Sequence, residues 1–117
     1  MFILIGGHPK GFSEPFHIKT KSGKILRKIL GEPQKKFFTF FDLWENQDEQ
    51  DLGIIDKKVL DKLKKFLKNE YKLIALGRFT EKALIENNIK CLYLPHPASR
   101  RNEDKIKLEK SLRKLIK

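Results

Sequence analysis

Two loops of this sequence set an imidazole beside a proline: Gly6-Gly7-His8-Pro9-Lys10-Gly11 and Leu94-Pro95-His96-Pro97-Ala98-Ser99. Proline fixes its own φ and drives the residue before it out of the helical region. His96, bracketed by Pro95 and Pro97, is therefore held extended with its ring projecting. A ring fixed in this way can donate one aimed hydrogen bond to charge that develops in a transition state. The alternative is a loop histidine packed for shape, and for His8 that reading carries more weight. Arg100 and Arg101 follow His96 at the start of a helical segment. Guanidinium groups and helix N–H groups together suit phosphate, although charges after a loop also serve as a solvated rim. Lys19, Lys21 and Lys24 add charge around Thr20-Lys21-Ser22-Gly23, whose spacing is not that of a P-loop.

The elements that must position these loops follow from hydrophobic periodicity. Phe2 to Ile5 is a continuous apolar run stopped by Gly6-Gly7, as in a buried parallel strand. A Gly-, Pro- and Ser-containing loop then runs to Lys21. From Ser22-Gly23 onward, Ile25, Leu26, Ile29 and Leu30 share one helical face, and Gly31 and Pro33 end the helix. Phe37 to Leu43 reads as a second strand and the acidic stretch Glu45 to Asp51 as a loop closed by Gly53. Asp56 caps a helix to about Asn69, with Val59, Leu60, Leu63, Phe66 and Leu67 at helical spacing. Tyr71 to Leu76 is a third strand, ended by Gly77, before a short helix with Thr80 and Glu81 in its first turn. Ile89 to Leu94 is the fourth strand. Asn102, with Glu103 and Asp104 behind it, caps a last helix whose apolar face is Ile106, Leu108, Leu112, Leu115 and Ile116.

This alternation predicts an α/β fold: a single three-layer domain over residues 1–117, with a four-stranded, mainly parallel sheet flanked by helices. In open sheets of this kind ligands bind at the C-terminal strand ends. The loops from Gly6, Asp42 and Pro95 all leave strands at that edge, so chemistry is expected there rather than on the lysine-rich helices.

Composition limits the partners. At 117 residues the chain can bury one core, and its 39% hydrophobic and 35% charged residues exclude a disordered basic tail. A net charge of +11 favours polyanions, or else serves solubility alone. Cys91 is the lone cysteine, so no intramolecular disulfide or thiolate cluster can form, and its apolar surroundings predict a buried, inert thiol. Three scattered histidines offer no metal site. The apolar start, Met1 to Ile5, is far shorter than the ~20 residues a membrane span needs. It also lacks the features of a signal peptide, so an intracellular monomer without membrane contact is expected.

Taken in order, the motifs resemble the uracil-DNA glycosylase superfamily. Leu94-Pro95-His96-Pro97-Ala98-Ser99 is similar to its second motif, a His-Pro loop after the last strand. Gly6-Gly7-His8-Pro9, then Glu14-Pro15-Phe16, then Ser22-Gly23-Lys24-Ile25-Leu26 follow the order of the first motif, the Pro-Phe element and the Ser-Gly opening of the first helix. Ile74-Ala75-Leu76-Gly77-Arg78 resembles the strand that precedes the second motif. The resemblance touches nearly the whole chain through degenerate motifs, and it implies base flipping and hydrolysis of an N-glycosidic bond in DNA, with no cofactor.

Under that resemblance, His96 donates to the departing base anion and Phe16 stacks on the flipped base. The loop of Gly6, Gly7 and His8 presents water, while Ser99, Arg100, Arg101, Lys10 and Ser22 hold the DNA. Where the family usually has a carboxylate or Asn in the first motif, this chain has Gly7 and His8. Glu14, beside a further acidic position of the pattern, is the candidate base or oxocarbenium stabiliser, with a neutral His8 as a second way to orient water. Asp42 stands where related small proteins often have a base-reading Asn. An ionised Asp42 only accepts hydrogen bonds and would repel a uracil O4. Either the substrate is not plain uracil, or activity is weak or absent, or Asp42 merely caps a turn. The alternatives to an enzyme on uracil or a modified pyrimidine are a catalytically weak or inactive nucleic-acid- or nucleotide-binding module on the same scaffold and, more distantly, a nucleotide-handling enzyme of another class.

Overall fold

The structure, a computed structural model, describes residues 2–8, 20–30 and 38–116. Its elements run β1 (Phe2–Gly6), α1 (Lys21–Leu30), β2 (Phe38–Asp42), α2 (Gln47–Leu52), α3 (Lys57–Lys68), β3 (Lys72–Leu76), α4 (Arg78–Glu86), β4 (Leu92–Leu94) and α5 (Asn102–Ile116). The four strands form one sheet in the order β2-β1-β3-β4, and every pairing is parallel. Mainly parallel was expected; wholly parallel is found.

Strand alternation sorts the core into two faces. Ile3 and Ile5 of β1 pack with Leu63 of α3 and with Ala83 and Leu84 of α4. Leu4, Phe38, Ile74, Leu76 and Leu94 pack on the other face with Leu26 and Leu30 of α1 and Leu108 and Leu112 of α5. The result is three layers, α3/α4, sheet and α1/α5. The last helix differs slightly from expectation, because Ile106 is exposed and Leu108 and Leu112 carry the contact.

Capping fixes where the helices begin. Thr20 caps α1: its Oγ1 accepts from the Gly23 N–H at 2.9 Å, and its carbonyl accepts from Lys24 at 3.0 Å. The Asp56 carboxylate accepts from the Lys58 N–H at 2.7 Å, as the sequence predicted. At α5 Asn102 is already helical rather than the cap, and the Arg101 carbonyl accepts from the Lys105 N–H at 3.2 Å. Ser99 Oγ donates to Asp104 at 2.7 Å and accepts from the Arg101 N–H at 3.3 Å.

One element differs in kind from its sequence reading. The acidic stretch is not all loop, since Gln47–Leu52 is helical. Asn46 accepts from the Glu49 N–H, Glu49 accepts in turn from the Glu45 N–H at 2.8 Å, and Gly53 closes the far end at φ 70°. The helix buries no residue, so it has no apolar stripe for periodicity to detect. Local capping holds it instead.

Candidate nucleic-acid site at the C-terminal edge of the sheet

The strand order reverses direction between β1 and β3, and that is where an open parallel sheet leaves a crevice at its C-terminal edge. β1 ends there in Gly6-Gly7-His8 and β3 in Gly77, so the centre of the crevice has almost no side chains of its own. Side chains reach it from the outer strands. Asp42, at the end of β2, is in register with Gly6. His96 follows β4 on the opposite flank. Asp42 and Gly77 stand two strand spacings apart, about 10 Å.

His96 is brought inward by Gly77. That glycine lies at φ 97° and ψ 156°, a conformation essentially confined to glycine, and its N–H donates to the Leu94 carbonyl at 2.9 Å. A Cβ placed on it would lie 3.3 Å from the His96 Cβ, so the missing side chain is what lets the histidine pack against the end of β3. Pro95 and Pro97 are buried on either side of the half-buried His96. The Ala98 N–H donates to His96 Nδ1 at 3.0 Å, and the Ser99 N–H donates to the His96 carbonyl at 3.0 Å, closing a turn. Because Nδ1 accepts, the neutral ring carries its proton on Nε2.

His8 is held differently. Leu43 and Trp44 donate their N–H groups to the carbonyls of Gly6 and Gly7, at 3.2 and 2.9 Å, and so carry the β1–β2 pairing past the strands. The His8 Nε2 lies 2.9 Å from Gln47 Oε1, which can only accept, so His8 donates to the first residue of α2. Gln50, one turn further along α2, lies where a Cβ on Gly7 would be. Neither glutamine was a candidate from sequence, because both fall in the stretch read as a loop.

Among the described residues with a resolved shift in ionisation, Asp42 is the one at this edge. Burial lifts its carboxyl from 3.8 to about 7, and its Oδ2 is buried without a hydrogen-bond partner. Near neutral pH it is therefore divided between acid and carboxylate, and the fully ionised Asp42 considered from sequence is not its state. Ser22, in the first turn of α1, is buried with an Oγ that likewise has no partner.

The remaining candidates fall into two groups. Arg100 and Arg101 are exposed at the start of α5; Arg101 lies 3.3 Å from Glu103 in a surface pair of little strength. Ser99 is engaged with Asp104 and the Arg101 backbone, so it organises the helix start beneath the arginines. Lys10, Glu14 and Phe16 lie outside the described residues.

No family model, curated protein or solved structure matches the chain.

Two features off this edge bear on chemistry. Burial, and behind it the charge of Glu81, push the Cys91 thiol up, so it stays protonated and unreactive. Among the described residues no group of three or more His, Cys, Asp or Glu side chains converges as a metal site, and no helix is long and apolar enough to cross a membrane.

Proposed function

We propose that this chain is a DNA glycosylase-like protein that hydrolyses the N-glycosidic bond of uracil or a modified pyrimidine in DNA. The observation that carries the reading is the Ala98 N–H held on His96 Nδ1, which places the proton of a neutral imidazole on Nε2 and makes that nitrogen a donor. In the reaction the bond between C1′ and the base breaks and its electron pair leaves with the base. His96 stabilises that anion by hydrogen bonding, without needing a positive charge of its own. Water then adds to C1′ and gives up a proton, for which Glu14 is the candidate acceptor, while Phe16 stacks on the flipped base. The net charge of +11 and the exposed Arg100 and Arg101 suit a polyanionic substrate. DNA is accordingly the proposed partner, met by an intracellular monomer.

The test is a cleavage assay on single- and double-stranded oligonucleotides carrying uracil or a modified pyrimidine, with alkaline scission of any abasic product. Abasic sites are expected with the native chain and not with His96→Ala. Product from neither protein, or equal product from both, overturns the reading.

A specific observation favours the second reading, a nucleic-acid- or nucleotide-binding module that does not cleave. His8 stands where a water-positioning carboxylate would be needed, and its Nε2 is engaged by Gln47. Salt-dependent binding of DNA without any abasic product would select this reading.

A further inference from the structure

Leu52 and Ile54, on either side of Gly53, are 74% and 72% exposed. Hydrogen bonds hold the segment that carries them. Gly53 ends α2 at φ 70°, and its N–H donates to the carbonyls of Glu49 and Gln50. The buried Trp44 then pins the next residue, because its Nε1 donates to the Ile54 carbonyl at 2.9 Å. Ile55 joins the core, and Ile54 stays outside it.

Leu52 and Ile54 line a groove of about 440 Å³ together with Leu43, Trp44 and Val59. That volume lies within the ~300–1,000 Å³ that recognition pockets commonly occupy. Leu43 and Trp44 belong to the core on the α3/α4 face, so the groove has a packed base. Three exposed carboxylates, Glu45, Glu49 and Asp56, also line it, and Lys58 is the one cation among its described lining residues.

Charge decides the class of occupant. Residues 45–56 hold five carboxylates and neither lysine nor arginine, in a chain whose net charge is +11. A cationic segment is therefore repelled by the chain as a whole and attracted at this groove. Glu49 and Asp56 accept from the backbone N–H groups of Glu45 and Lys58, at 2.8 and 2.7 Å, which fixes both carboxylates in place. Capping accounts for those two charges. It does not account for two large apolar side chains left in water beside them.

We propose that this groove docks a segment of a partner protein in which one or two large apolar side chains are flanked by lysine or arginine. The apolar side chains leave water against Leu52, Ile54 and Val59 and supply the affinity. The flanking cations meet Glu45, Glu49 and Asp56 and supply orientation and speed of encounter. Neither contact uses His96 or Asp42, so the proposal stands whether or not the chain cleaves DNA.

Trp44 is the lone tryptophan and lines the groove, so its emission reports occupancy at this place. The experiment titrates the full chain with synthetic peptides. The first has two leucines one helical turn apart among lysines; a second has alanine for leucine, and a third glutamate for lysine. The leucine–lysine peptide is expected to shift Trp44 emission saturably below about 1 mM. Alanine for leucine should weaken binding at least about tenfold, and glutamate for lysine should remove the response. Leu52→Ala and Ile54→Ala should each weaken binding about tenfold with the thermal midpoint unchanged, since both side chains are exposed. Glu45→Lys should weaken it about threefold. No saturable response, a response that survives loss of the leucines, or an equal response to the acidic peptide each overturns the proposal. Sedimentation of the chain alone should show a monomer. A salt-sensitive oligomer that Leu52→Ala dissolves would make a second copy the occupant and overturn the assignment to a partner protein.

Discussion

The backbone N–H of Ala98 holds Nδ1 of His96 at 3.0 Å, two residues along the same turn. The contact fixes both the ring's orientation and its tautomer, so the donor exists before any ligand arrives. Preorganised donors of this kind account for about 10²–10³-fold in rate when one is removed. His96→Ala should therefore lower abasic-site formation by about that factor. Its thermal midpoint should change little, because the ring is only half-buried. A large fall in midpoint, with activity lost only in proportion to unfolded protein, would assign the histidine to packing instead.

Gly77 is the second constraint on that ring. Its φ of 97° and ψ of 156° cost a residue with a Cβ about 1–3 kcal/mol, and the added methyl would press on the His96 Cβ at 3.3 Å. Gly77→Ala should lower the urea midpoint by a corresponding amount and reduce cleavage further than the loss of folded protein explains. Unchanged stability would mean that the backbone here relaxes at no cost.

Asp42 makes stability depend on pH in an unusual direction for a carboxylate. Its folded value, about 7, lies above its ordinary 3.8, so between those values the folded chain holds a proton that the unfolded chain has released. Stability is then complete below about pH 4 and is lost as pH rises through 7, by roughly 3–4 kcal/mol. Asp42→Asn, which cannot ionise, should be more stable than the native chain at pH 8 and show little advantage at pH 4. Urea midpoints measured across that interval provide the check, and parallel curves for the two proteins would refute it.

Arg100 and Arg101 should register in the salt dependence of DNA binding. Each phosphate contact contributes about 0.9 to the slope of log affinity against log salt. Replacing both arginines with alanine should flatten that slope by about 2 and weaken all sequences alike. An unchanged slope would leave these residues as a solvated rim.

Much of this edge is legible in the sequence. The apolar run before Gly6-Gly7, the spacing of Leu26 and Leu30, and Asp56 ahead of α3 mark β1, α1 and α3 to within a residue or so. Two strand starts were placed too early for one shared reason. Tyr71 and Ile89 are apolar and adjoin strands, yet their N–H groups close the preceding helices, on Phe66 at 3.0 Å and on Leu84 at 2.9 Å. Glu70 and Asn88, at φ 65° and 60°, supply the left-handed step that such helix endings require, usually from glycine. A hydrophobic residue after a helix end thus looks like the first residue of a strand. The site was less legible than the fold. Two histidines and an aspartate were visible as residue types, whereas Gly77 packing under His96, Gln47 on His8 and the burial of Asp42 arise only from tertiary placement.

The capped acidic turn of α2 has an electrical consequence. Asp48, Glu49 and Asp51 lie on α2, whose Gln47 and Gln50 meet His8 and Gly7 after β1, while Arg100 stands exposed after β4 and Arg101 just before α5. A polyanion lying along this edge is repelled at one end and held at the other. For the proposed DNA partner, this arrangement favours a backbone on the arginine side.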